Sequence, residues 1–447
     1  MSIDKNRDFK IVEAILSTDR NDASIDISGV ITDFEIYEHL DKPYLTASFI
    51  VLDQYKMVEL LDMQGIEKLF LKIESPHTKH ITTKMFRIAK LKKTIKSNDR
   101  SEILMLEAIE EHAYISNAIN INKCYAGTPT SIISSIASEY LDKDISTSDQ
   151  TFQGNMKVIV PNLNPIKAIK WIQQRATNPD GMPYYVYSTL GDADLKFYHL
   201  GTLLRQNRIN QDHTYVYSPA AAQNSNDKQY FVIESYSHDN TENMFKLIQD
   251  GYVGAQYNFY DVSNGFAQEV DFNVKIDVFD TLVSRDYLPK DQSRYSFPPN
   301  SKINDTPLAE QKAKTISKIT SSEIYKGAGN FKSYAEEIDD ASYRKNIIGT
   351  ALKNFMTKSP ITINVTGKPY IMGGNKNDSN NLTIGNIVRL KFFDSNVNVD
   401  TKKPKIDTKK SGDYVIYAAK HIFKLERYDV QLLCAKVSSY NKDGTEL

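Results

Sequence analysis

Few side chains in this sequence are spaced for chemistry. His77 and His80, in "HTKH", have a separation that a metal ion could bridge, but the loop offers no acidic or thiol partner to complete a ligand set. They read as a solvated pair. Glu110–Glu111 and Glu336–Glu337 are the kind of carboxylate pair a glycosidase uses. Adjacency along the chain fixes no working separation in space, so these read as surface acids. His421 could act as a base or a ligand, but it sits in an otherwise apolar strand and reads as a hydrogen-bonded structural histidine. The two cysteines, Cys124 and Cys434, are far apart and form no CxxC. They read as inert buried thiols of a reducing compartment. HExxH, GxSxG, GxGxxG and the phosphate-binding GxxxxGKS/T pattern are all absent. No catalytic residue, no metal site and no cofactor-binding site is expected, and the chain is not expected to be an enzyme.

The bulk properties are those of a soluble globular protein, with 40% apolar and 25% charged residues. The chain has 447 residues, long enough for several domains. Its 55 basic and 56 acidic residues leave a net charge of −1, which gives no overall pull toward nucleic acid or an acidic membrane. No apolar run approaches the roughly 18–20 residues that would span a bilayer, so no membrane insertion is expected. The start, "MSIDKNRDFKIVEAIL", carries charges where a secretory signal needs an apolar stretch. Folding in a cytoplasm follows as an expectation.

The elements follow from periodicity. "ASIDISGVITDFEIYEHL" and "LTASFIVLD" alternate apolar and polar residues, as half-buried strands do. Residues 1–112 are expected to form a first antiparallel β-barrel. Residues 113–227 change character. Thr128-Pro129 and Asn164-Pro165 each place a cap and a first-turn proline before an apolar helical face, with Ile132, Ile133, Ile136, Tyr140 and Leu141 on one helix and Ile166, Ile169 and Ile172 on the other. "MPYYVYSTLGDADLKFYHL" then reads as a hairpin, giving a small α+β domain. β-patterning returns in "QYFVIESYSH", "GYVGAQYNFYDV" and "FAQEVDFNVKIDVF", and again in "ITINVTGK", "NIVRLKFF" and a closing hairpin. A helix is expected in "SYRKNIIGTALKNFM". A second barrel is thus expected from 228–280 and 345–440, with 281–344 as a polar, irregular insertion and 441–447 as a tail. The fold class is mainly β with α+β inserts: two similar antiparallel β-barrel domains plus smaller α+β domains. The loop at 373–381, and the one at 396–412 with its five lysines, read as solvated, the second also as a possible basic contact for a partner.

The two barrels read as copies. "KMFRIAKLKKTIKSNDRSEILMLEAI" (84–109) and "DYVIYAAKHIFKLERYDVQLLCAKV" (413–437) both run strand, basic patch, turn, strand. An offset of 328 lays Ile88 on Ile416, Lys92 on Lys420, Ile95 on Phe423 and Lys96 on Lys424. Upstream, Leu71-Lys72-Ile73 matches Leu390-Lys391-Phe392, each after a glycine, Gly65 or Gly385. Three chains with two barrels each would offer six near-equivalent positions.

Several stretches resemble the baseplate central hub proteins of contractile, T-even-type phage tails. "NPIKAIKWIQQRATNPDGMPYYVYSTLGDADLKFYHLGTL" resembles that family's small-domain signature, and "NMFKLIQDGYVGAQYNFYDVSNG" the stretch after it. "TINVTGKPYIMGG", "IGNIVRLKF" and the final hairpin resemble its closing barrel. The resemblance covers roughly 20–275 and 345–440, and the family includes the N-terminal hub region of type VI secretion spike proteins. It implies a homotrimer in the virion's tail baseplate, assembled in the host cytoplasm as a symmetry adaptor. Implied partners are a separate spike protein with an OB-fold and needle on one face, a tail tube or tube-initiator protein on the other, and baseplate wedge proteins. DNA would pass through the lumen without specific binding. The other readings weighed are the base of a secretion-type or tail-tip spike acting as a binding module, and, more remotely, a cell-wall hydrolase. The segments 281–344, 373–381 and 396–412 match nothing in the family.

Overall fold

The computed structural model describes residues 8–437 except 21, 77–78, 97–100, 148, 150, 152–154, 207, 209–213, 218–230, 239–243, 262–265, 288–301, 321–331, 334–339, 368–382, 398–403 and 409. The N-terminal part is built of β1 (Lys10–Ser17), β2 (Ser24–Asp26), β3 (Ile31–His39), β4 (Thr46–Asp53), β5 (Lys68–Glu74), β6 (Ile81–Lys96) and β7 (Glu102–Glu110), with a short helix α1 (Met57–Leu60). The expected alternation is present: in β4, Ala47, Phe49 and Val51 are buried, while Ser48 and Ile50 face the other way. The strands lie side by side in the order β3-β4-β7-β6-β5-β1-β2, all antiparallel.

An α+β part follows: α2 (Glu111–Ser116), β8 (Cys124–Gly127), α3 (Pro129–Leu141), β9 (Ile145–Ser146), β10 (Met156–Ile159), α4 (Pro165–Gln173), β11 (Tyr184–Tyr187), β12 (Leu195–His199) and α5 (Leu200–Leu204). Both helix starts are as the sequence predicts. Thr128 Oγ1 accepts from the Ser131 N–H at 3.2 Å and Asn164 Oδ1 from the Lys167 N–H at 2.8 Å. Ile132, Ile133, Ile136, Ile169 and Ile172 join a core of their own with Tyr184, Val186 and Phe197 from the β11–β12 hairpin.

The rest comprises β13 (Tyr215–Tyr217), β14 (Ile233–His238), α6 (Met244–Gln249), β15 (Gly254–Asp261), β16 (Phe266–Asn273), α7 (Thr281–Ser284), β17 (Lys302–Ile303), β18 (Thr306–Pro307), β19 (Thr315–Thr320), β20 (Lys332–Ser333), α8 (Asp340–Met356), β21 (Ile361–Thr366), β22 (Ile387–Val397), β23 (Pro404–Ile406), β24 (Gly412–Lys424) and β25 (Arg427–Lys436). Two readings change here. "FAQEVDFNVKIDVF" is a strand only as far as Asn273, whose side chain accepts from the Lys275 and Ile276 N–H groups and starts a π-helix over Val274–Asp280. The hairpin β15–β16 lies outside the main sheet and pairs with β19, a strand from within 281–344. Among the described residues no helix is long and apolar enough to cross a membrane.

β21, β22, β24 and β25 join the N-terminal strands in one 14-stranded sheet, because β24 pairs with β3. Within it a five-strand pattern occurs twice. Taken in chain order, β3-β4-β5-β6-β7 and β14-β21-β22-β24-β25 both sit side by side as first, second, fifth, fourth, third, all antiparallel. Two β-bulges repeat as well. Ala89 is the extra residue between Ile88 and Lys90, as Tyr417 is between Ile416 and Ala418. Thr32 interrupts β3 against β4 as Glu234 interrupts β14 against β21. Gly65 and Gly385 both have positive φ (86° and 80°) where the chain enters the strand beside the first bulge.

A second bulge in β6, between Leu91 and Lys93, has no counterpart in β24. Beyond it the structural match slips by one, so that Ile95 corresponds to Ile422 rather than Phe423, and Lys93 rather than Lys92 to Lys420. Among the described residues no ladder closes either set into a barrel. The second set comes nearest: β13 runs parallel to β22, and a single bridge links Val216 to Val232, beside β14.

Candidate interface at the joint between the two strand sets

The residues with chemical potential are dispersed. His77, Glu336 and Glu337 lie outside the described residues, as does the 373–381 loop. His80 is half-buried, and burial lowers its pKa. Cys434 is buried, which pushes its thiol up, whereas Cys124 is exposed, contrary to the expectation of two buried thiols. Of the 396–412 loop, β23 pairs with β22, and Lys410 reaches Asp407 at 3.4 Å and the Tyr236 hydroxyl at 3.3 Å. Among the described residues, no three His, Cys, Asp or Glu side chains are grouped as metal ligands.

Glu110 is not a surface acid. It is buried where β7 meets the α+β part, 3.5 Å from Lys84 Nζ and 3.8 Å from Lys143 Nζ, and it accepts from the Leu45 N–H (3.0 Å) and the Ser188 hydroxyl (2.9 Å). Burial alone would raise its pKa. The opposing charge of Lys84, with that of Lys143 and the Leu45 N–H, outweighs burial and holds the carboxyl below its ordinary value. Its neighbour Glu111 turns away and pairs with Arg87 at 2.9 Å. These two carboxylates cannot share a sugar.

The other concentration of buried polar groups is the joint itself. β24 bends at the Tyr417 bulge, pairing through Gly412–Val415 with β22 and through Ala418–Lys424 with β3. Phe34 of β3 stacks on Phe423 of β24, centroids 4.4 Å apart, and Phe423 on Tyr428 at 4.7 Å. Beneath this stack His421 bridges the sets. Its Nδ1 lies 2.7 Å from the Tyr428 hydroxyl, and its Nε2 faces Glu38 Oε2 at 3.5 Å, with both side chains fully buried. The other Glu38 oxygen accepts from the Leu190 N–H, tying the α+β hairpin to the same point. His421 is thus structural, as its sequence context suggests. Glu38 was missed, although period two along Phe34, Ile36 and Glu38 puts a carboxylate on the apolar face.

On the solvent side the joint is concave. A hollow of about 800 Å³ spans it, floored by Ala89, Ala108, Ala418 and Ala419. Two lysines that line it have carboxylate partners: Lys420 with Glu35 at 2.8 Å, and Lys92 with Glu107 at 2.9 Å.

No protein-family model and no curated protein matches the sequence. Solved structures do match. The tail protein from Neisseria meningitidis aligns over 96% of this chain and 98% of its own, at 9% identity and a TM-score of 0.51. A prophage tail protein from Shewanella oneidensis aligns over 95% and 98%, at 7% identity and a TM-score of 0.49. A chain of a Francisella PdpA–VgrG complex aligns over all of this chain and 55% of its own, at 10% identity and a TM-score of 0.46. The chain therefore shares its fold with the Neisseria tail protein.

Proposed function

We propose that this chain is the central hub of a phage tail baseplate, a structural rather than catalytic component of the virion. Three copies form a ring of six strand sets that meets a sixfold tail tube on one face and a threefold spike on the other. In this reading residues 1–112 supply one ring position, and 228–280 with 345–440 supply the next, apart from the hairpin β15–β16. Residues 113–227 and 281–344 stand outside the ring and contact the wedge proteins.

The observation that carries the reading is the repeat. Two sets with one strand order and two shared bulges are near-equivalent units, and a chain holding two of them lets threefold symmetry present six positions. The concave face at the joint would line the lumen, since a ring that repeats a joint curves toward its hollow side. Lys92 and Lys420, already paired there, offer DNA phosphates little net charge, as suits a passage rather than a binding site. Negative-stain images of the purified protein are expected to give annular end views with three outer lobes around a nearly sixfold inner ring. Compact particles without a central opening would refute the hub.

A further inference from the structure

A second cleft, of about 740 Å³, opens between α4, α8 and the paired strands β15 and β19. Its size falls in the range of small-molecule sites, roughly 300–1,000 Å³. Lys170 faces it from α4, and Lys353 from α8, one turn beyond Gly349. Gly349 lets α8 close on the turn before β11, where an added Cβ would lie 3.1 Å from the Gly181 carbonyl oxygen. Tyr252, Tyr257, Ile316 and Ile347 supply the apolar surface of the cleft.

Its charges are unbalanced. Lys170, Arg175, Lys314 and Lys353 line it against two carboxylates, Asp41 and Asp250. Asp41 is already engaged: one oxygen accepts from the Tyr417 hydroxyl, and the other lies 3.8 Å from Lys353 Nζ. Lys353 also donates to the Tyr184 carbonyl at 3.3 Å and stands over the Tyr185 ring at 4.5 Å. Lys170 is half-buried and has no ion-pair partner among the described residues. Burial lowers the pKa of both ammoniums; Asp41 opposes this, and at Lys353 the charge of Lys170 adds to it. Two ammoniums thus share one carboxylate beside an apolar surface.

From this we infer that the cleft binds a small organic anion, a carboxylate or phosphate carried on an apolar body. Lys170 and Lys353 hold the charged group by charge-assisted hydrogen bonds. The apolar body lies on the tyrosine and isoleucine side chains. Asp41 is the internal rival for the same ammoniums, so the ligand competes with a carboxylate of the chain itself. The site stands whether or not three chains form a ring.

Titration of the purified full chain at pH 7 with 1-naphthyl phosphate and with 1-naphthoate, followed by naphthalene fluorescence, tests this. Neutral 1-naphthol supplies the apolar body without the charge, and inorganic phosphate the charge without the body. At least one naphthyl anion is expected to bind saturably, about tenfold more tightly than 1-naphthol or inorganic phosphate, as one charge-assisted hydrogen bond implies. Tighter binding of the phosphate marks the ligand as a phosphate ester, and the reverse order marks it as a carboxylic acid. Two variants carry opposite signs. Lys170→Met keeps the stem and removes the ammonium, and should weaken the anion about tenfold while leaving 1-naphthol unchanged. Asp41→Asn keeps an acceptor for Tyr417 and removes the rival charge, and should tighten the anion. Weakening by both variants alike overturns the site, since it reports lost packing rather than charge. Binding indifferent to the charge of the probe, or no saturable binding of either anion, overturns it as well.

Discussion

Replacing Glu38 by alanine is expected to cost about 1–3 kcal/mol, the usual penalty for leaving a buried donor without its acceptor. Glu38 is a buried carboxylate at the joint, where it accepts from the Leu190 N–H and faces His421, all out of contact with water. Alanine would leave the Leu190 N–H buried without an acceptor and remove the carboxylate beside His421. Glu38→Gln keeps an oxygen of the same reach and should recover more than half of the loss. Urea titration of the three proteins, followed by tyrosine fluorescence, reads the difference as a shift in midpoint. An alanine variant as stable as the parent would mean that the joint is held by its ladder and aromatic stack alone.

The second large effect is pH-dependent. Glu110 is a buried carboxylate whose folded-state pKa lies below its ordinary value of 4.5. A carboxyl of this kind contributes stability above its unfolded pKa, and the contribution is lost as pH falls through the folded value. Glu110→Gln leaves the Lys84 ammonium buried beside a neutral amide, and about 2–4 kcal/mol should be lost at pH 7. The gap between variant and parent should be constant down to about pH 5 and then shrink, because the parent loses its charge while the variant has none to lose. Denaturation midpoints from pH 3.5 to 7.5 check this. A gap that widened on acidification would mean that Glu110 is not held in its charged form.

Local patterning was legible. The alternation in β4, the caps at Thr128 and Asn164, and the paired hairpins are all written in short-range spacing, and each appears where the sequence puts it. Non-local pairing was not legible, because nothing in a strand names its neighbour. The hairpin at 254–273 carries the same alternation as the strands around it, yet it leaves the main sheet to pair with β19. The bulge at Lys92 moved the match of Ile95 by one residue, and a bulge shows in pairing rather than in composition. The buried roles of Glu38 and Glu110 could have been read. Each falls on the inward phase of its strand, where a charge has to find a partner. The exposure of Cys124 follows from its place as the first residue of the short strand β8, which the sequence did not mark as an edge.

The strand order seen twice gives the ring account its force, because two equivalent sets per chain are what a threefold assembly needs to meet a sixfold one. The most direct measurement is the mass in solution by light scattering after size exclusion, over a range of concentration and salt, with the spike protein absent and present. The account predicts a species of about 153 kDa, three times the chain mass of 50.9 kDa, that falls to folded monomer on dilution. A dimer that persists at every concentration would contradict it, since twofold pairing leaves no threefold ring to join tube and spike.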